Sequence, residues 1–451
     1  MVQNMTYDEL ILRIIILLRD GKRKEFQTVL EELQPYDMAI LFKEMPEKHR
    51  GRYLSFFFFL DITDLMGELE KEEQLTVLNK VGKEKAAHVM NKMDNDDLAA
   101  LLEEMEPALK DQLLSSMEAE ESEAVRVLMN YPPETAGRIM TNRYVWIPQH
   151  YTVKEAVIKL KSFAEIAESI NYLYVINEAK QLVGVLSYRD LILAEPDEKV
   201  QDLMFTRVIS AEALQDQEEV ARLIERYDFL AIPVVEKNQE LVGIVTVDDI
   251  IDIVIQEANE DYEKFAASGK AITFDTKSYV AAYRRLPWLI LLLFIGLISG
   301  SIMSYFEDTL QRVVALAFFM PMIAGMTGNT GTQSLAVVIR GLSKEELNKK
   351  TIFRLIFREL RAGIIIGVVC AVVITGIAIV WQGNLLLGFV VGTSLFATLI
   401  IGTMAGTIVP IILHKCNVDP AIASGPLITT LNDILSLLIY FGIATAFIHA
   451  L

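Results

Sequence analysis

The chain has 451 residues, of which 52% are hydrophobic, and its 60 Asp and Glu against 42 Lys and Arg give a formal net charge of −18. Such acidity disfavours nucleic acid as a partner, because no basic face is available to neutralise phosphates, and it favours cations. The five histidines show no metal-ligand spacing and the two cysteines, Cys370 and Cys416, make no disulfide framework, which argues against a soft-metal site.

The charged residues divide the chain into two regions. Residues 1–286 contain 53 acidic and 33 basic residues, whereas residues 287–451 contain seven and nine. An acidic soluble region is therefore expected to precede an apolar membrane region. The apolar stretch Ile11–Leu18 is too short and too interrupted for a signal peptide, and it predicts an amphipathic helix.

Residues 1–131 are expected to form an acidic α-helical superhelical domain. Glycine and proline are rare there, and apolar residues recur at helical spacing in blocks such as Met38–Met45 and Leu98–Met105. Short helices of this kind bury their apolar faces on their neighbours. The methionines are interpreted as core residues and not as a partner groove. Phe56–Leu60 is also interpreted as core, with a contact between domains as the alternative.

Residues 132–251 contain a pattern that occurs twice. Gly184 of the first copy corresponds to Gly243 of the second, 59 residues later. Each copy predicts a helix (Val153–Phe163 or Gln217–Arg226), two short strands joined by a polar turn, and a second helix. The pattern resembles a tandem pair of CBS motifs, an α/β fold that commonly binds adenine nucleotides or other regulators between its halves. By itself it indicates a sensor and not an activity.

A long acidic helix is expected next, and residues 252–280 are interpreted as a connecting (plug) helix. From Asp248 to Lys264, carboxylates recur at spacings of three and four residues. Like charges placed in this way repel one another unless a cation screens them. Hard oxygen ligands suit Mg²⁺ or Ca²⁺, so the helix is interpreted as a sensor of a divalent cation. A solvated acidic face is the alternative.

Residues 281–451 are expected to form an all-α transmembrane domain with five spans, each long enough to cross a hydrocarbon core about 30 Å thick. Lys and Arg are concentrated before the first span and between the second and third. The positive-inside rule therefore puts the N-terminal region in the cytoplasm and, after an odd number of spans, the C-terminus outside. The predicted spans are Pro287–Phe306, Val313–Ile339, Ala362–Trp381, Leu385–Leu413 and Ala421–Ala450.

The second span contains a polar run, Pro321–Ser334, that is rich in glycine and hydroxyls. Asn329 and its neighbours offer neutral oxygens at membrane depth. Such a run either lines a wet cavity or packs helices closely through small residues, and the two interpretations can coexist.

The fifth span carries Asp433 deep in an uncharged segment. A carboxylate near the bilayer centre costs at least about 2.5 kcal/mol, which favours an ion pathway over a core aspartate satisfied by nearby hydroxyls. Asp419 lies at the start of the span. On a continuous helix the two carboxylates would be about 21 Å apart on nearly the same face, with Ser424, Thr429 and Thr430 beside the line that joins them.

This order of regions, together with the runs Gly328–Ser334 and Asp419–Asp433, resembles the MgtE family of magnesium channels and transporters over essentially the whole chain. The resemblance implies a homodimer in the cell membrane with a pore between the two membrane halves. It implies that Asp433 is the selectivity carboxylate and Asp419 the acidic residue at the cytoplasmic entrance. It also implies that cytoplasmic Mg²⁺ closes the pore by holding the acidic domains and the connecting helix together.

The resemblance further implies two sets of regulatory residues. The carboxylates expected to sense Mg²⁺ are Asp216, Glu218, Asp228, Asp249, Asp252, Glu257, Glu260 and Asp261, with Asp94, Asp96 and Asp97 in the N-terminal domain. Some relatives bind ATP between the CBS motifs, which here would involve Tyr172, Arg189, Asp190 and Phe229. The expected ligands are Mg²⁺ and, as a regulator, ATP.

Other functions are weighed against a passive Mg²⁺ channel. An energy-driven pump or other enzyme is disfavoured because the sequence has no Gly-x-x-x-x-Gly-Lys-Ser/Thr phosphate loop. An anion channel regulated by CBS motifs is disfavoured because the charges inside the spans are acidic. A transporter of another divalent cation and a membrane magnesium sensor that transports nothing stay open as alternatives.

Overall fold

The computed structural model describes residues 5–103, 105–163, 167–267, 272, 276–342, 349–416, 418–420, 423 and 425–447. The chain divides into two compact units, Met1–Val254 and Ile255–Leu451. The first unit contains the predicted helical domain and CBS pair, and the second contains the apolar helices. The boundary between the units falls within one helix, Val247–Phe265.

The N-terminal domain is built from short helices, as predicted. Their apolar faces share one core, in which the ring of Phe26 lies 5.7 Å from that of Tyr53, and the ring of Tyr53 lies 4.6 Å from that of Phe57. The described helices are α1 (Tyr7–Asp20), α2 (Arg23–Leu30), α3 (Pro35–Glu44), α4 (Glu47–Phe56), α5 (Phe59–Gly67), α6 (Lys71–Val81), α7 (Lys83–Met90), α8 (Asn95–Glu103), α9 (Pro107–Leu114) and α10 (Ala119–Met129).

Local chemistry sets the ends of the first helix. The Thr6 hydroxyl accepts a hydrogen bond from the Glu9 amide, while the Glu9 carboxylate accepts one from the Thr6 amide. This reciprocal cap satisfies two amides that would otherwise lack a partner. Gly21 ends α1 with a φ of 72°, a conformation that glycine adopts without the steric cost of a side chain.

The prediction that Phe56–Leu60 forms core is confirmed only in part. Phe56 and Phe57 are buried, but the side chain of Phe58 is 66% exposed. Phe58 is the residue that precedes α5, and its amide donates to the Asp61 carboxylate, so its side chain lies outside the packed face. The side chains of Phe59 and Leu60 lie outside the described residues. The methionines expected in the core are buried, namely Met38, Met45, Met90, Met93 and Met105.

The CBS pair forms two three-stranded sheets with the same topology. In each sheet the first strand pairs parallel with the second, and the second pairs antiparallel with the third. The strands are β1 (Tyr144–Pro148), β2 (Ser169–Ile176) and β3 (Leu182–Ser187), then β4 (Ala211–Glu212), β5 (Ala231–Val235) and β6 (Leu241–Thr246). The helices are α11 (Ala136–Ile139), α12 (Val153–Phe163), α13 (Tyr188–Leu193), α14 (Val200–Leu203) and α15 (Gln217–Tyr227).

The repeated glycines have one structural explanation. Gly184 and Gly243 stand opposite Val175 and Val234 in their sheets. A Cβ atom at Gly184 would overlap the side chain of Met204, and one at Gly243 would overlap a methionine in the equivalent place. Close packing against the sheet therefore accounts for the repeat without any role in ligand binding.

The second unit is a bundle of long helices. Among the described residues, four helices are long and apolar enough to cross a membrane, namely Ser278–Tyr305, Lys349–Gln382, Leu385–Lys415 and Gly425–Ala446, and the bundle buries an apolar core of its own. A further helix of 27 residues, Leu316–Leu342, lies against the last two of these and carries the predicted polar run. The helices from the connecting helix onward are α16 (Val247–Phe265), α17 (Ser278–Tyr305), α18 (Glu307–Arg312), α19 (Leu316–Leu342), α20 (Lys349–Gln382), α21 (Leu385–Lys415) and α22 (Gly425–Ala446).

The expected geometry of the last span is wrong at its start. Helix α22 begins at Gly425 and does not include Asp419, so the separation and the shared face that a continuous helix would give these two aspartates do not apply. Pro426 is the second residue of α22, a position where its missing amide hydrogen costs no helical hydrogen bond and which favours the start of a helix. Ser424 lies outside the described residues.

Candidate functional site

Seven carboxylates converge in the first unit, and we call them the carboxylate cluster. Three come from the start of α8, one lies just before β2, and three come from the start of α16, where helix N-termini favour negative charge. One oxygen from each of Glu168, Asp248 and Asp249 lies within 4.8 Å of the others. The full cluster consists of Asp94, Asp96, Asp97, Glu168, Asp248, Asp249 and Asp252.

Burial and the charges of neighbouring carboxylates raise the pKa values of several members of the cluster. Burial, together with the charge of Asp249, raises the pKa of Glu168 to about 8. Burial raises the pKa of Asp249 to about 7, although the Thr246 hydroxyl donates to its carboxylate and opposes the rise. Burial and the charges of Asp249 and Glu168 raise the pKa of Asp96 well above its usual range. Ionising the cluster therefore costs free energy that a bound cation would offset.

Two carboxylate oxygens of the cluster, one on Asp96 and one on Glu168, are buried without a hydrogen-bond partner among the described residues. A buried polar atom normally has a partner, because leaving it unpaired costs stability. Arg143 lies beside the cluster, with its guanidinium 3.6 Å from Asp94 and 2.8 Å from Glu121. The donor set is oxygen only and anionic, which is the chemistry that Mg²⁺ and Ca²⁺ prefer.

The structure brings together five of the predicted sensing residues and adds two that were missed. Asp94, Asp96, Asp97, Asp249 and Asp252 lie in the cluster. Asp248 belongs to the acidic run at the start of the predicted helix, so its charge pattern could have identified it. Glu168 stands alone in the sequence, and only the contact between distant segments reveals it.

Three predicted sensing residues lie on α15 and have local roles. The Asp216 carboxylate accepts from the Glu218 amide and caps the helix, and Asp228 ends it with a φ of 53°. The Glu218 carboxylate lies 3.8 Å from Arg222 on the next turn. Their assignment to Mg²⁺ sensing stays a prediction, as does that of Glu257 and Asp261 farther along α16.

The end of α16 contacts the loop before α22. The Lys264 ammonium lies 2.5 Å from the Glu260 carboxylate and 2.6 Å from the Asp419 carboxylate. Lys264 is partly desolvated, which by itself favours the neutral amine, but hydrogen bonds to the two carboxylates outweigh this and raise the pKa of Lys264. Phe265 packs with Leu335, Ala423 and Ile428, next to this ion pair.

Asp433 faces a cavity of about 340 Å³ between three helices. The hydroxyls closest to it along α22 are those of Thr429, Thr430 and Ser436, and each donates to a backbone carbonyl of the same helix. Those hydroxyls therefore do not satisfy the carboxylate, which counts against a purely structural aspartate. The cavity is lined by Leu292, Gly296, Ser299 and Met303 of α17, by Met320, Pro321 and Ala324 of α19, and by Thr430, Asp433 and Leu437 of α22.

The polar run of α19 packs helices closely. A Cβ atom at Gly328 would meet the Thr429 methyl group at 2.9 Å, and one at Gly331 would overlap the Asn432 amide. Close packing through small residues is therefore confirmed for this run. Asn329, which was predicted to offer an oxygen to the ion, is exposed on α19 and is not part of the cavity lining.

A second cavity, of about 120 Å³, lies between the CBS motifs. Of the predicted nucleotide residues, Tyr172 and Phe229 line it, whereas Arg189 and Asp190 do not; the Asp190 carboxylate instead accepts from the Ser187 hydroxyl at the start of α13. Sequence reasoning missed Phe205 and Arg207, which also line the cavity. The arrangement offers aromatic faces and one cation.

Comparisons with known proteins agree with this architecture. Residues 320–443 match the family model described as MgtE, divalent cation transporter, residues 33–134 match the MgtE intracellular N domain, and residues 136–197 and 200–256 match the CBS domain. The chain is 82% identical over its full length to the full-length "Magnesium transporter MgtE" of Bacillus subtilis (strain 168). It is 35% identical to the protein of that name from Thermus thermophilus, with 96% of this chain and 97% of that one covered.

A solved structure is similar to the soluble part of this chain. It is titled "Crystal structure of the cytosolic domain of the Mg2+ channel MgtE in complex with ATP", with 34% identity and a TM-score of 0.52, and the match covers 54% of this chain and 99% of that one. The relatives that match the whole chain are named as transporters and not as enzymes, which agrees with the expectation that the chain is not an enzyme. The match of whole sequences, domain order and soluble fold leads to one conclusion: the chain belongs to the MgtE family of magnesium transporters.

Proposed function

We propose that the chain is a magnesium transporter that conducts Mg²⁺ passively into the cytoplasm along a path that includes Asp433, and that cytoplasmic Mg²⁺ bound at the carboxylate cluster closes this path. The observation that carries the first part is the Asp433 carboxylate, which faces a cavity between α17, α19 and α22. The three relatives that match nearly the whole chain are named magnesium transporters, which supports the choice of ion.

The chemistry of Mg²⁺ suits a path of this kind. Mg²⁺ sheds its water reluctantly and is usually held by one or two carboxylates while it keeps several waters. Asp433 supplies one carboxylate, and in a dimer the same residue of a second copy would supply the other. A cavity of about 340 Å³ leaves room for the ion's hydration shell.

The carboxylate cluster supplies the regulatory part of the proposal. An ion that binds only the closed arrangement shifts the equilibrium by RT ln(1 + [L]/Kd), which is about 1.4 kcal/mol per independent site at ten times its Kd. Two or three such sites suffice to change an open population into a closed one. The unpaired oxygens of Asp96 and Glu168 are the groups that gain most from a cation.

The proposed topology follows from the charges and the helices. The N-terminal unit lies in the cytoplasm, α19 is the fifth span beside the four apolar helices, and the C-terminus lies outside. A homodimer is part of the proposal. All of α17 is described and none of its side chains is buried, so its apolar face is available to lipid and to a second copy.

Flux through the purified full-length chain tests the proposal. In liposomes loaded with a Mg²⁺-sensitive dye, we expect uptake that needs no ATP and that stops as Mg²⁺ rises on the side of the N-terminal domains. Uptake of Co²⁺ or Mn²⁺ in place of Mg²⁺ would favour the alternative of another divalent cation. Absence of any flux, with intact Mg²⁺ binding, would favour a sensor that transports nothing.

The Mg²⁺ affinity of the carboxylate cluster is expected to fall as the pH is lowered from 8 to 6. Burial raises the pKa of Glu168 to about 8 and that of Asp249 to about 7, so protons occupy these oxygens in this range and must leave before Mg²⁺ binds. Each displaced proton raises the binding midpoint by up to about tenfold per pH unit. Protection of α16 from limited proteolysis, measured against Mg²⁺ at constant ionic strength, reports the midpoint.

The same two groups make the stability of the metal-free chain fall as the pH rises, whereas the Mg²⁺ affinity increases. Both pKa values lie above the ordinary carboxyl value near 4, so the folded chain is destabilised when these two groups lose their protons. This loss of stability is absent below about pH 4 and complete above about pH 8. Raising the pH from 6 to 8 in EDTA therefore lowers the melting temperature. A Mg²⁺ midpoint and a melting temperature that are both independent of pH would contradict the assignment of these carboxylates.

We also propose that ATP binds the cavity between the CBS motifs as a regulator. The aromatic faces of Tyr172 and Phe229 are suited to stacking on adenine, and the guanidinium of Arg207 is suited to the phosphates. The solved cytosolic domain of an MgtE relative in complex with ATP supports this choice of ligand.

Phe229→Ala is expected to weaken ATP binding by about tenfold, because base stacking on one aromatic ring contributes about 1–3 kcal/mol. Calorimetric titration of the full-length chain with ATP measures the effect. Tyr36→Ala, which removes an exposed aromatic ring from the N-terminal domain, is the control and should change nothing. Equal affinity in Phe229→Ala and the parent chain would exclude the cavity as the ATP site.

A further inference from the structure

Asn432 is a fully buried polar residue next to Asp433 in α22. Its side chain is 0% exposed, and its amide nitrogen donates to the Thr327 carbonyl of α19 over 3.3 Å. The bond joins two helices that are far apart in the sequence. The Thr429, Thr430 and Ser436 hydroxyls, in contrast, bond within α22 itself.

A glycine of α19 makes room for this amide, and a glycine of α21 lies next to it. A Cβ atom at Gly331 of α19 would overlap the Asn432 nitrogen, and one at Gly402 of α21 would lie 3.5 Å from it. A substitution at Gly331 would therefore displace the Asn432 side chain. The amide occupies a place that the surrounding sequence keeps free of side chains.

Filling this space with an amide lowers the stability of the fold. Within the part of the chain that the structure describes, the Asn432 oxygen is buried without a hydrogen-bond partner, and an unpaired buried acceptor destabilises the folded state. A leucine of similar size would fill the site without that cost. Packing alone therefore does not explain why an asparagine occupies position 432.

Consecutive residues of a helix point about 100° apart. When the Asn432 amide is bound to α19, the rotation of α22 about its axis is fixed, and with it the direction of the Asp433 side chain toward the cavity. We propose that Asn432 is a positioning residue that aims the Asp433 carboxylate at the passing ion and thereby sets the preference for Mg²⁺ over larger divalent cations. This inference rests on the proposed role of Asp433 in the ion path.

Asn432→Leu in the full-length chain tests the proposal. We expect a melting temperature equal to or above that of the parent chain, together with a Mg²⁺ flux about tenfold lower, the effect of one lost hydrogen bond on orientation. We also expect the ratio of Mg²⁺ to Ca²⁺ flux to fall, a change that a purely structural role would not produce. Ser436→Ala is the matched control, because Ser436 is also buried on α22 but bonds only to its own helix.

Asp433→Asn, measured in parallel, separates this inference from the proposed function. If Asp433→Asn keeps full flux, the proposed path is wrong; if it loses flux while Asn432→Leu keeps the parent flux and ion ratio, only the role of Asn432 is overturned. Should Asn432→Leu unfold early, Gly331→Ala decides the question, because it displaces the amide and keeps every polar group. A folded Gly331→Ala chain with the parent ion ratio overturns the proposal.

Discussion

Asp433→Asn is expected to reduce Mg²⁺ flux by at least about 100-fold while the chain stays folded. The substitution keeps the size and hydrogen-bonding oxygen of the side chain but removes its charge. At about 5 Å and an effective dielectric constant of about 20, one carboxylate and one unit of positive charge attract by about 3 kcal/mol, or more than a hundredfold in occupancy. Dye-detected Mg²⁺ uptake by liposomes measures the loss.

Asp308→Asn provides the control for this experiment. Asp308 lies exposed on the short helix α18, outside the cavity, and the substitution changes the net charge by the same amount. Its flux should equal that of the parent chain. Melting temperature and elution volume should be unchanged in both variants. Parent-level flux in Asp433→Asn would mean that the ion takes another route.

Neutralising Glu168, Asp248 and Asp249 together, as Gln, Asn and Asn, is expected to leave the transporter open at Mg²⁺ concentrations that silence the parent chain. These three residues have oxygens within 4.8 Å of one another, so the triple variant removes a complete set of ligands. Loss of one site at ten times its Kd shifts the equilibrium between open and closed forms about tenfold toward open. Flux against cytoplasmic Mg²⁺ measures the shift.

The same triple variant, although it responds less to Mg²⁺, is expected to be more stable than the parent chain when no metal is bound. Burial raises the pKa values of Glu168 and Asp249, so replacing these two carboxylates by amides removes an unfavourable charge at pH 8, and the metal-free variant should melt at a higher temperature than the parent chain. The control is the triple variant Glu195→Gln, Asp197→Asn, Glu198→Gln, which makes the same charge change in an exposed loop. If control and cluster variants close at the same Mg²⁺ concentration, the cluster is not the sensor.

Local patterns in the sequence predict the boundaries of two helices to within one residue. Helix Val153–Phe163 has the predicted boundaries, and the helix predicted from Asp248 to Lys264 is one residue longer at each end. Both segments combine a regular apolar spacing with a polar residue at the start, and both signals act within one or two turns. The family resemblance, carried by the runs Gly328–Ser334 and Asp419–Asp433, is confirmed over the whole length.

Contacts between distant segments were harder to predict. Glu168 is a single acidic residue with no neighbouring pattern, and its place in the cluster depends on packing between β2 and the starts of α8 and α16. The predicted geometry of Asp419 assumed one helix from Asp419 to Asp433, whereas α22 begins at Gly425 with Pro426 in its first turn. No sequence pattern identifies Asn432, because a single asparagine beside an aspartate has no periodic signal.

The glycine contacts in the second unit also determine which helix can move. Gly331 packs against both α21 and α22 with almost no intervening side chain, and such tightly packed interfaces do not deform gradually. Helix α17, by contrast, contributes four residues to the wall around Asp433 and buries none of its own side chains in this chain. Changing the width of the cavity beside Asp433 without breaking the glycine contacts therefore requires a displacement of α17. This helix can move while α19, α21 and α22 stay packed together.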